Sequence, residues 1–247
     1  MNRFTYTMMT ALMAILALAM VTGQASAKEV DLSKTAFKYG KMKYWRGKAE
    51  NVRIGSYGDK KVNGKYLAVD AHMKTKHYEA RLDVAGPFTV NFEKFNRKSL
   101  GASVRYLTTR GTGSLSWEKA KKGNLKLMKF FLTEKNLRKA LNGKANGAFK
   151  GLVKEGNDGR IVSEIWVVVE ASLSEDITKA GGFTAQYKGG TLFLRGRAKS
   201  SSTHKNALEL APGTTFAYLM HKVKKWNKKK GEKVGVADLE DDQPGMR

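Results

Sequence analysis

The chain has 247 residues, no cysteine, and 46 Lys and Arg against 22 Asp and Glu, a formal net charge of +24. Without cysteine it cannot be a disulfide scaffold, a thioether-linked lipoprotein or a Cys-ligated metal protein. A surplus of this size attracts polyanions and speeds encounter with them.

The first 27 residues read as a cleaved secretory signal. Arg3 supplies a positive start, and a run of 14 mostly apolar residues extends from Met8 to Val21. Ala25-Ser26-Ala27 then offers the small residues that a signal peptidase reads. A spanning helix needs about 20 apolar residues, so the run is short for an anchor. Export is therefore expected, to the periplasm first and the medium second. No Asn-x-Ser/Thr acceptor occurs in the sequence. Cleavage after Ala27 leaves 247 − 27 = 220 residues and a net charge of 24 − 1 = +23, enough chain to bury a core without disulfides.

Residues 30–51 contain Phe37, Tyr39, Tyr44 and Trp45 but show no clear period. Asn63-Gly64 suits a type I′ turn. After it Leu67, Val69, Ala71 and Met73 alternate with Tyr66, Ala68, Asp70 and His72, the period of a strand. Lys74-Thr75-Lys76 reads as a turn, with the apolar phase restarting at Tyr78, Ala80, Leu82 and Val84. A further hairpin is expected around Gly111 to Gly113. The stretch 118–124 is the best place for a boundary if the chain has two domains. In "FFLTEKNLRKALNG", Thr133 can cap a helix, Leu132 can staple onto Leu137, and Gly143 can take the left-handed C′ position. "GLVKEGNDGRIVSEIWVVVEA" reads as a hairpin through Asn157-Asp158-Gly159, and "FTAQYKGGTLFLRGRA" as another, with Gly189-Gly190 at its tip.

From Phe216 the apolar residues Phe216, Leu219, Met220, Val223 and Trp226 recur at steps of three or four. That spacing predicts a helix, with His221, Lys222, Lys224 and Lys225 mainly off the apolar face. Its lysines are either the wet side of a core helix or a surface for anionic lipid, with Trp226 at headgroup level. Residues 231–247 are acidic and expected to be disordered. The other reading is that they fold back and screen a basic face.

Charge is uneven along the chain. Residues 119–154 hold eleven Lys or Arg against Glu134, and residues 188–230 hold eleven against Glu209. Residues 155–185 hold six acids against Arg160 and Lys179.

Catalytic motifs are absent. "RGTGSLSW" is not a nucleophile elbow, and the glycines of "YKGGTLFLRGRAKSSSTHK" do not follow a phosphate-loop pattern. Glu164 and Glu170 lie roughly 20 Å apart on an extended strand, too far for a glycosidase pair at about 5–10 Å. Asp70, His72, His77 and Glu79 flank the proposed turn and could gather two histidines with a carboxylate, as zinc requires. The surrounding lysines oppose a cation there. Aromatics among cations, in "KYWRGK", "KFNRK", "VRY" and "KKW", can stack on sugars or bases, although β-proteins commonly place aromatics inside and lysines outside.

The expected fold is therefore α+β and β-rich. It has a mainly antiparallel curved sheet, a short middle helix and a basic C-terminal helix, in a single domain over residues 28–230. The expected function is non-enzymatic binding of an anionic ligand or surface, through Trp45, Arg46, Lys222, Lys224, Lys225 and Trp226. Envelope lipid headgroups or an acidic glycan are the first partners, with an acidic protein as a further one. Peripheral membrane contact is compatible with this, and no transmembrane segment is expected in the mature chain. A carrier enclosing an apolar ligand is the alternative, and a hydrolase without a local motif the third reading. No cofactor is indicated.

Overall fold

The computed structural model describes residues 30–61, 65–92, 95, 105–108, 111–122, 125–143, 146–179, 183–188, 191–196, 208–210 and 213–245. The signal-like segment, the Asn63-Gly64 turn and the Gly189-Gly190 tip lie outside them.

Among the described residues the protein is β-rich, with a curled, mainly antiparallel sheet that forms a half-barrel, and few short helices. Its centre is β10 (Gly159–Glu170), GRIVSEIWVVVE. The β-branched residues favour an extended backbone that packs on both sides. Every residue of this strand except Glu170 is buried, as expected of a strand covered on both faces. Alternate side chains enter two separate cores. Ile165, Val167 and Val169 join one, and Trp166 and Val168 the other.

The path of the large sheet runs β1 (Val30–Leu32), β2 (Ala36–Tyr39), β3 (Met42–Trp45), β14 (Thr215–Lys229), β10, β4 (Ser56–Lys61) and β5 (Tyr66–His72). The final described strand, β15 (Glu232–Asp242), pairs with β14. The far end of β10 takes two more partners. Val168 lies opposite Leu127 of β9 (Leu125–Phe131) in antiparallel register and opposite Tyr106 of β7 (Arg105–Thr108) in parallel register. β6 (Asp83–Thr89) extends the sheet beyond β9, and β8 (Gly111–Ser114) beyond β7. A separate small sheet holds β11 (Phe183–Lys188), β12 (Thr191–Gly196) and β13 (Leu208–Leu210).

Four short helices are described: α1 (Trp117–Lys121), α2 (Glu134–Asn142), α3 (Asn146–Glu155) and α4 (Ala171–Lys179). α2 starts as its sequence predicts. The Thr133 hydroxyl accepts from the Asn136 N–H at 3.3 Å, and Leu137, Ala140 and Leu141 are buried. It ends differently, because Gly143 has φ −93° and not a left-handed conformation. α2 and α3 cover one face of the sheet, where Leu137, Leu141, Ala148 and Leu152 meet Ile161, Tyr218 and Met220. The other core is aromatic. Phe37, Tyr44 and Trp166 stack edgewise or tilted with centroids 5.2–5.8 Å apart, an arrangement favoured by ring quadrupoles.

Several expectations are corrected. The basic C-terminal helix is not present: residues 215–229 form β14, whose first seven residues are buried throughout. Alternate residues feed both cores, Tyr218 and Met220 on one side, Ala217 and Leu219 on the other. The acidic end is not disordered over residues 232–242, because β15 lies antiparallel along β14. The folded unit thus extends past residue 230. The arm before Asn157 is helix α3, followed by a short 3-10 turn, so residues 146–170 form a helix–turn–strand unit and not a hairpin. The hairpin expected around Gly111 to Gly113 is present as the antiparallel pair β7 and β8, with Gly111 to Gly113 inside β8 and not at its turn. The strand expected from Tyr78 begins at Asp83, after two 3-10 turns.

Candidate functional site

β14 and β15 make a long hairpin with two different halves. The inner half of β14 is held by β10 up to the Arg160–Lys222 pair. Beyond Lys222 the described partner of β14 is β15 alone. Residues 223–229 therefore lie in a two-stranded ribbon, roughly 20 Å long at the rise of a strand. One side of it rests on the helices. Trp226 packs edgewise on Phe149 of α3, with centroids 5.7 Å apart. The Asn142 side chain at the end of α2 bonds both backbone groups of Val236: Nδ2 donates to the carbonyl at 2.8 Å and Oδ1 accepts from the N–H at 2.6 Å.

A buried ionic clasp fixes the base of the ribbon. Asp242 is 5% exposed and accepts from Lys60 Nζ at 2.8 and 3.0 Å and from Arg160 Nε. Its backbone carbonyl accepts from Trp45 Nε1 at 2.7 Å, and Lys60 Nζ sits 4.9 Å from the centre of the Trp45 ring.

Outward from the clasp, β15 supplies acids to the cations of β14. His221 Nδ1 lies 3.1 Å from Asp241 Oδ1. Burial pushes the His221 pKa down, and the neighbouring Asp241 and Glu134 charges oppose that shift. Lys222 pairs with Glu240 at 3.1 Å and Lys224 with Asp238 at 3.7 Å. The acids then run out. Residues 225–233 carry five lysines (Lys225, Lys228, Lys229, Lys230 and Lys233) against Glu232, a local charge of 5 − 1 = +4. Lys225, Lys228, Lys229 and Lys230 are exposed. Screening by the acidic strand thus ends in the outer, two-stranded half of the hairpin.

The six residues expected to make contact do not share one surface. Trp45 is buried within the clasp. Arg46 is buried against Phe216, 4.4 Å from the ring centre, and donates to the carbonyls of Phe216 and Ser33. Burial pushes its pKa down to about 10. Lys222 and Lys224 are ion-paired, Lys225 is exposed, and Trp226 is half-buried between Phe149 and Lys233 Nζ, which lies 4.6 Å from its ring centre. The outer lysines Lys228 to Lys230 fall within the basic stretch 188–230, and Lys233 lies just beyond it.

Among the described residues no group of three or more His, Asp or Glu could hold a metal ion. His72 Nδ1 is 2.9 Å from Ser56 Oγ. Burial, aided by the Arg53 charge, lowers the His72 pKa to about 4. Ser56 is fully buried, so this contact does not offer a reactive hydroxyl to a substrate. Glu164 on β10 is also buried, with Oε2 3.3 Å from Lys129 Nζ. Burial raises its pKa, against the lowering effects of Lys129, Tyr44 and Trp166. No family model, curated protein or solved structure matches the chain.

Proposed function

We propose that this is an exported, non-enzymatic binding protein for anionic ligands or surfaces, acting in the periplasm, and that the outer β14–β15 ribbon makes the contact. The supporting observation is the graded charge along the hairpin. Opposed acids neutralise the inner lysines, whereas residues 225–233 keep a net +4 on the two-stranded half of the hairpin. Exposed lysines attract phosphate and sulfate groups without chemical selectivity. Two paired strands hold those cations in a fixed row, which lowers the ordering cost of binding.

The test uses heparin as a soluble polyanion. Affinity should fall steeply with added salt, since each neutralised phosphate-like charge releases condensed counter-ions. Reversal of Lys225, Lys228 and Lys229 to Glu should abolish retention at moderate salt. Reversal of Lys222, already paired with Glu240 at the inner end, should matter less. Heparin binding that ignores both salt and the outer triple reversal rejects the reading.

A further inference from the structure

The outer ribbon collects three local features that disfavour folding. The first is its turn. Lys229 pairs with Glu232, so Lys230 and Gly231 form a two-residue loop, with φ 49° and 83°. This is the I′ arrangement, which favours Asn or Gly at both positions. Here a lysine occupies the first, as lysines do at the other two positive-φ non-glycine positions among the described residues, Lys48 and Lys65. The second is a like-charge pair, because Lys228 lies directly opposite Lys233. Such cross-strand pairs are unfavourable.

The third is Val234. At 54% exposure it stands out as the exposed large hydrophobic residue among those described. In a regular strand it would share a face with Val236, which is 1% exposed. The register prevents this: Asn227 pairs with Gly235 and Lys228 with Lys233, leaving Val234 as the extra residue of a bulge. Bulges re-aim side chains, and this one leaves an apolar group in water among five lysines. Breaches of local folding rules that gather in one place point to function.

We propose that the tip of the β14–β15 hairpin docks on an anionic lipid bilayer, with Lys228, Lys229 and Lys230 at the headgroup phosphates and Val234 in the interfacial layer. This rests on the reading of the ribbon as an anion-binding element and names its partner class. A soluble polyanion satisfies the lysines but gives nothing to an exposed valine. A bilayer surface satisfies both, because cations bind its anionic headgroups while small apolar groups enter the headgroup–acyl boundary. One valine and a few lysines give shallow, reversible, salt-sensitive attachment.

The experiment measures co-sedimentation with phosphatidylcholine vesicles, with and without phosphatidylglycerol, and heparin affinity in parallel. The unaltered protein should bind only the vesicles that contain phosphatidylglycerol. Lys228→Gln with Lys229→Gln should weaken binding to those vesicles and to heparin, by about fivefold per lysine. Val234→Ser should weaken vesicle binding by about five- to tenfold and leave heparin affinity unchanged. Lys230→Gly should weaken vesicle binding while raising the melting temperature, a split that a purely structural lysine would not give. If Val234→Ser leaves vesicle binding intact while the lysine variants lose it, the bilayer proposal fails and the anion-binding reading stands. If the lysine variants keep full affinity for vesicles and heparin alike, both fail.

Discussion

Replacing Asp242 by Ala should unclasp the long hairpin from the sheet. Asp242 is the buried counter-ion of two cations whose side chains are only 9% (Arg160) and 18% (Lys60) exposed. Removing one partner of a buried ionic cluster costs about 3–5 kcal/mol, because the charge left behind is uncompensated. Lys60 has some freedom to turn toward solvent, so the expected loss lies near the lower end, about 3 kcal/mol. For a folded chain of this size each kcal/mol lowers Tm by about 2–4 °C, giving a drop of roughly 6–12 °C. Thermal unfolding followed by tryptophan fluorescence measures it, since the Trp45 indole bonds the Asp242 carbonyl. Asp238→Ala is the internal control. Its ion pair with Lys224 spans 3.7 Å between side chains 61% and 40% exposed, and such surface pairs contribute about 0–1 kcal/mol. Replacing the cluster by apolar residues, Asp242→Leu with Arg160→Met and Lys60→Met, should recover most of the loss. An Asp242→Ala midpoint no lower than that of Asp238→Ala would refute the reasoning.

Two further outcomes concern acid and base. The His72 pKa is lowered to about 4 from the usual 6.5, so between these values the unfolded chain binds the extra proton. Stability should therefore fall as pH drops from 6.5 to about 4, then level for this group. His72→Asn should flatten that part of the curve, leaving the contribution of His221, whose pKa is also lowered; an unchanged slope in equilibrium unfolding would contradict the assignment. The Glu164 pKa is raised by burial, so the folded state favours its protonated form and loses stability as pH climbs through the raised value. Glu164→Gln should accordingly compare better with the unaltered protein at pH 7 than at pH 4 in paired urea titrations, and the opposite ranking would count against it.

The parts legible in the sequence are those where local chemistry acts alone. The Thr133 cap and the Leu137, Ala140 and Leu141 stripe located α2. Alternation after Leu67 located β5, and β11 with β12 form the expected hairpin. The sequence of β14 reads as a helix for a physical reason. Its first half is buried on both faces, so it reads as a continuous apolar run without alternation. Its second half has register shifts around Lys225 and between Asn227 and Lys228, which destroy the period of two. α3 was hidden by Gly147 and Gly151, poor helix formers. Gly151 is a tertiary requirement: a Cβ there would come within 2.3 Å of the Tyr57 ring on β4. Of the candidate site, the basic bias and the lysines of β14 were visible. The end of their screening was not, because it depends on which acid of a distant segment faces which lysine.

The amide of Asn142 occupies the place that a neighbouring strand would take beside Val236, bonding both its N–H and its carbonyl, while Arg138 of the same helix donates to the Ala237 carbonyl. Exposed sheet margins invite other chains to add themselves. Here the margin is occupied from within, so another copy meeting this rim would first have to displace a helix end. At residues 236–237 the β15 rim of the hairpin is thereby closed to an added strand by the end of α2.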